Sequence, residues 1–184
     1  MMLSTTNRHL LKSIARQAIV QGLETDRIED IDLQALPKEL TALGASFVTL
    51  HKEGLLRGCI GSLEAFRPLA IDVAHNAYAA AFNDPRFSPL LPNELDKIDL
   101  EISVLSEPTP ITCSTEQELL EQLRPNIDGL IIEDNFHRAT FLPTVWESLP
   151  DTADFVHHLK LKAGLPAQYW SDEMACFRYT TESF

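Results

Sequence analysis

Basic residues are in short supply in this 184-residue sequence: 15 Lys and Arg stand against 27 Asp and Glu, a formal net charge of −12. So acidic a chain suits neither a nucleic acid wrapped over its surface nor an anionic membrane, since both select for Lys- and Arg-rich patches. Long apolar runs are missing as well. Nowhere do about 18 apolar residues follow one another, so no segment reads as a membrane span. Cysteine is limited to Cys59, Cys113 and Cys176, an odd number without a CxxC pair. That excludes a disulfide framework and a zinc-type spacing, and points to a reducing, cytoplasmic setting. With 7 glycines, 45% hydrophobic and 23% charged residues, collagen-like and disordered classes are excluded too. No HExxH, GxSxG, GxGxxG or GxxxxGK spacing is present, so no common catalytic or nucleotide-binding loop can be assigned. No cofactor is implied. Six acids between residues 24 and 39 lack the glycine-pivoted ligand pattern of a calcium loop. They read as a solvated connection, and no metal site is expected.

What is present is a mixture of helical and strand patterns. Residues 1–23 hold Arg8, Lys12, Arg16 and no acid, a composition also found in transit peptides. Leu10, Leu11, Ile14, Ala15, Ala18 and Ile19 nevertheless fall at i, i+3/i+4 spacing, which predicts an ordinary amphipathic first helix closed by Gly22. Residues 45–50 and 55–62 read as two strands around a Glu53-Gly54 turn. Pro68 opens a helix over LAIDVAHNAYAAAF that is apolar on most sides and therefore expected between layers. Pro85, Pro89 and Pro92 then break the chain. Further strands are predicted over 100–105, 129–133, 138–142 and 176–180. Short helices start at Ser114 or Thr115, with Glu118 near the capping-box position, and after Asp151, where Gly164 ends the helix. Hairpins outnumber βα alternations, so the fold class is α+β, with largely antiparallel sheets and packed helices.

The densest segment is Leu56-Arg57-Gly58-Cys59-Ile60-Gly61-Ser62. On a strand, period two puts Arg57, Cys59 and Gly61 on one face. A cation beside a thiol lowers the thiol pKa, and two close glycines admit a ligand or another backbone. Cys59 is thus a candidate nucleophile, with a histidine such as His51 as its base, or else a buried structural thiol. The loop Asn83-Asp84-Pro85-Arg86-Phe87 offers Arg86 as a bidentate donor to a carboxylate or phosphate, or as a cap on a helix end. Trp146 reads as core.

LRGCIGSL, AAAFNDPRFSPL, EISVLSEP, DGLIIE, TFLPTVWESLP, HLKLKAGLP and FRYTTESF, in that order, resemble the AMMECR domain family, which includes the A component of AmmeMemoRadiSam systems. The resemblance spans roughly residues 8–184. It implies a single AMMECR-type domain over 1–184, built as two unequal, intertwined lobes around a cleft. It also implies two partners, a Memo-like protein and a radical SAM enzyme. Carried over, its signatures fall on Leu56 to Gly61, on Asp84 to Phe87 and on Thr140 to Pro143. Lys160 stands where many relatives have a cysteine, which argues against a redox pair there. The leading expectation is an accessory component that binds a small anionic ligand or a partner protein. Its site would comprise Arg57, Gly58, Gly61, Ser62, Arg86, Phe87 and Thr140 beside Cys59. The alternative is a cysteine-dependent enzyme with Cys59 as nucleophile.

Overall fold

In the computed structural model, which describes residues 3–25 and 27–184, the first apolar stripe lies on a helix, α1 (Thr5–Thr25), and Leu11, Ala15, Ala18 and Ile19 are buried. The chain divides into two compact units, Met1–Leu105 with Glu182–Phe184, and Ser106–Thr181. Together they make an α+β fold with two four-stranded sheets. No helix among the described residues is long and apolar enough to cross a membrane.

The first unit is built on a sheet ordered β2-β1-β3-β8. Strands β1 (Ser46–Lys52) and β2 (Leu55–Gly61) form a hairpin. Its turn places Glu53 and Gly54 at positive φ, 54° and 79°, which the glycine accommodates without a Cβ penalty. Strand β3 (Ile98–Leu105) pairs antiparallel with β1. The chain end returns as β8 (Thr181–Ser183), and Ile102 and Phe184 exchange both backbone hydrogen bonds, the mark of an antiparallel pair. Helix α3 (Leu69–Phe82) packs across β1 and β2, and α1 packs on α3. A four-residue helix, α2 (Lys38–Thr41), buries Leu40. The core joins Leu11 and Ile19 to Val48, Leu50, Ala70, Val73, Ala77 and Ile102. The alanines on α3 let helix and sheet approach closely.

The second unit has its own sheet, ordered β4-β7-β5-β6. Strands β5 (Gly129–Asp134) and β6 (His137–Phe141) form a hairpin with Asn135 at φ 52°. Helix α4 (Glu116–Gln122) is capped by Thr115, whose side chain accepts the Glu118 N–H. The Glu118 carboxylate reaches back to the N–H of Ser114. Helix α5 (Thr152–Lys162) is capped by Asp151 and stopped by Gly164 at φ 78°. Trp146 is core, as its sequence position suggests: it stacks on Phe155 with centroids 3.7 Å apart, and its indole N–H donates to the Asp128 carbonyl at 2.7 Å. Two strands have no clear sequence signal, β4 (Thr109–Ile111) and β8. The strand expected last is β7 (Ala175–Tyr179). At three residues, both of the others are too short for period two to be visible.

Candidate functional site

Strand β2 is an edge strand, and the segment that follows α3 closes its open side. Asp84, almost fully buried, accepts the Cys59 N–H at 2.9 Å. Arg86 donates to the Cys59 carbonyl at 3.2 Å and to both Asp84 oxygens, at 3.0 and 2.7 Å. One carboxylate and one guanidinium thus stand in for the missing neighbouring strand, which covers an otherwise exposed edge. The Arg86 hydrogen bonds hold the Asp84 carboxyl far below the ordinary carboxylate range. Phe87 lies under the Arg86 guanidinium at 5.5 Å.

The period-two reading of this strand fails at Arg57. Leu50 pairs with Gly58 but His51 pairs with Leu56, so Arg57 is the extra residue of a β-bulge. The bulge aims it at Glu94, with Nε and Nη2 on the two carboxylate oxygens at 3.1 and 2.9 Å, while Lys52 adds 2.8 Å. Arg57, then Lys52, bring the Glu94 carboxyl down to about 2. Cys59 faces Thr49 across the hairpin, and the Thr49 hydroxyl donates to its sulfur at 3.3 Å. Among the described residues no histidine hydrogen-bonds to Cys59, and His51 sits opposite Leu56.

The two glycines of LRGCIG are accounted for by packing. A Cβ on Gly58 would lie 2.0 Å from the Ala80 carbonyl oxygen on α3, and one on Gly61 would lie 2.2 Å from the Phe47 ring. Thr140 belongs to the second unit, where its hydroxyl donates to the Leu130 carbonyl at 2.8 Å and shares a bond with the Tyr179 hydroxyl.

Ser62 leads to a second constellation. Asp72, fully buried in the first turn of α3, accepts from the Ser46 N–H and hydroxyl, the Asn76 amide, the Ser62 hydroxyl and Arg67 Nε, all within 2.9 Å. A buried carboxylate with five donors is fully compensated, and it fixes Arg67 and Asn76 in place. Both of those side chains line a cavity of about 730 Å³ along the outer side of α3. The segment Arg27 to Ile31 forms its other wall, with Ile71, His75, Tyr78, Ala79 and Asn83 along the helix. Partial desolvation, then the Arg67 charge, pull the His75 pKa below its ordinary value, against the opposing pull of Asp72.

The structure therefore gathers Arg57, Gly58, Cys59, Gly61, Arg86 and Phe87 along one edge strand and its clasp, and links Ser62 to Arg67. Sequence reasoning did not single out His75 or Asn76 as residues lining a cavity. The available signal was their i, i+4 spacing from Ile71 and Asp72, hidden because the helix is apolar on most sides.

Residues 12–184 match the AMMECR1 family model. A protein of Methanothermobacter thermautotrophicus is 36% identical over 191 residues, covering 99% of this chain and 95% of that protein. One from Thermotoga maritima is 38% identical over 154 residues, covering 82% and 83%. The crystal structure of an uncharacterized protein from Pyrococcus horikoshii, PH0010, superposes with a TM-score of 0.84 at 31% identity, covering 94% of this chain and 88% of that one.

Proposed function

The chain belongs to the AMMECR1 family, and from that premise we propose that it is a non-catalytic accessory component that binds a small anionic ligand. Its setting is cytoplasmic, in keeping with three free thiols. Its partners are a Memo-like protein and a radical SAM enzyme, to which it presents or withholds that ligand. The family match, residues 12–184, runs through both compact units, which supports treating them as one functional domain.

One observation carries the reading. Arg67, held rigidly by buried Asp72, and Asn76 converge with His75 and Arg27 on one cavity, the arrangement of a preformed anion site with convergent polar groups. Arg57 and Arg86 are paired with Glu94 and Asp84 as Arg67 is with Asp72, but of the three only Arg67 lines this cavity. Cys59 has Thr49 rather than a base beside it, so the cysteine-dependent reading has less geometric support.

A thermal-shift screen of a chemically diverse metabolite library tests the reading. Hits are expected to be anionic, and to weaken at least about fivefold in His75→Ala, an exposed substitution that leaves the Asp72 network intact. A library with no hit that depends on His75 or Arg67 overturns it. Co-purification with the Memo-like and radical SAM proteins tests the partnership separately, and failure to associate in the presence of such a hit overturns that part.

A further inference from the structure

The cavity beside α3 is long as well as charged. Ile71, His75, Ala79 and Asn83 follow one another at four-residue steps, so the floor of the groove runs about 18 Å along the helix. Arg67 stands just before the first turn of this 14-residue helix, where the helix dipole also favours negative charge. Its Nε–H and one Nη2–H are committed to Asp72 and Ser62, which leaves the two Nη1 hydrogens and the second Nη2 hydrogen to offer a ligand. His75 is close enough to feel the Arg67 charge. Arg67, although paired with Asp72, and His75 therefore place the N–H donors of the lining at this end of α3. Apolar and flat surfaces come next: Ile71 and Ala79 on the helix, the Tyr78 ring, and Ile28 and Ile31 opposite. Acceptors complete the lining. Asn76 is 4% exposed and gives all its described hydrogen bonds through Nδ2, so its Oδ1 is the acceptor it brings to the cavity. Glu29 and Asp30 add carboxylates on the opposite wall, with Glu29 steadied by a two-way clasp with the Gln21 amide.

These three zones complement three parts of one ligand, and we infer that the groove takes an elongated, ring-bearing anion with O–H or N–H donors, of the size and chemistry of a nucleoside monophosphate. The phosphate or carboxylate sits at Arg67 and His75. The ring lies against Ile71 and Tyr78, and the donors meet Asn76 Oδ1 and the carboxylates of Glu29 and Asp30. The mixed charge of the lining gives the selectivity. A bare anion gains nothing from Glu29 and Asp30, which outnumber Arg27 on that wall, and a neutral ring leaves Arg67 and His75 unused. The inference rests on the binding reading above and narrows it to one ligand class.

Isothermal titration with five probes tests it: adenosine 5′-monophosphate, indole-3-lactate, adenosine, ribose 5-phosphate and inorganic phosphate. At least one ring-bearing anion, the nucleotide or the indole carboxylate, is expected to bind about tenfold or more tighter than adenosine, ribose 5-phosphate and phosphate. Which of the two does so identifies the anion as phosphate or carboxylate. Ile71→Trp, which fills the groove from a half-buried position, is expected to abolish that binding with an unchanged circular dichroism spectrum. Adenosine or ribose 5-phosphate binding as well as the ring-bearing anions overturns the inference, as does binding that survives Ile71→Trp. If none of the five binds, the ligand class is overturned, while hits from the broad library that depend on His75 leave the accessory-binding reading standing. If neither experiment yields binding, both fall.

Discussion

Replacing Gly58 and Gly61 by alanine separates packing from ligand access in the LRGCIG strand. A Cβ at residue 58 would sit 2.0 Å from the Ala80 carbonyl oxygen, where real Cβ atoms essentially never come within 3.0 Å. The obstacle is the backbone of α3, which has no rotamer to escape to, so strand and helix must part by about 1 Å. Overpacking of this kind costs about 3 kcal/mol or more. For a chain of this length that lowers the melting temperature by about 6–12 °C. At residue 61 the obstacle is the Phe47 ring at 2.2 Å, a side chain that can turn aside, and the expected cost is about 1–2 kcal/mol. A double-mutant cycle makes the distinction sharp. Phe47→Ala removes the obstacle, so Gly61→Ala should cost at least about 1 kcal/mol less in that background than in the wild type. No single side-chain truncation should rescue Gly58→Ala. Urea unfolding followed by far-ultraviolet circular dichroism is the assay, because Trp146 and Trp170, the two tryptophans, both lie in the second unit and do not report on this strand. If both alanine variants come within about 0.5 kcal/mol of wild type, or the cycle shows no coupling, the packing account is refuted.

Glu94 should make part of the stability depend on pH. Its carboxyl is depressed from the ordinary 4.5 to about 2 by Arg57 first and Lys52 second, so its contribution is complete above about 4.5 and disappears as pH falls through about 2. Solvent at the partly open Lys52 and Arg57 side chains reduces that contribution to about 1–2 kcal/mol. Glu94→Gln should therefore be destabilised at pH 7, with the gap to wild type closing on acidification in paired urea melts; a gap constant down to pH 2 contradicts the assignment. In the second unit, Lys160 is 1% exposed and its Nζ lies 2.6 Å from Glu116. Glu116→Ala should strand this cation at a cost of about 3 kcal/mol, whereas Lys160→Met should be tolerated, and tryptophan fluorescence in urea measures both. Native iodoacetamide labelling followed by mass spectrometry should leave Cys176, 2% exposed, unmodified until urea is added. Burial also pushes the Cys113 thiol up, so its labelling should accelerate as pH rises. A Cys59 that labels much faster than free glutathione would restore the cysteine-dependent reading.

The elements were legible because their signals are local. Leu11, Ala15 and Ile19 repeat at helical spacing, Asp151 and Gly164 bracket α5, and Glu53-Gly54 supplies the φ-positive pair that the tight turn between β1 and β2 needs. The candidate site was legible only in part. Arg57 was read as facing Cys59, and the bulge that turns it toward Glu94 is invisible in the residue order, since a bulge depends on how two strands pair. Arg57 and Glu94 are 37 residues apart, and no spacing rule connects them. Arg86 was open between ligand donor and structural cap, and the packing of its loop on the free edge of β2 decided that it closes the strand. His75 and Asn76 were hidden on a helix whose alanines speak only of close packing. By itself, then, the sequence determined an acidic α+β protein with these helices and hairpins, because capping, periodicity and turn chemistry act over a few residues. Which internal carboxylate each cation meets, and which of the cations also lines a cavity, only the tertiary structure decided, because a charge is matched by whatever the folded chain brings within about 3 Å of it.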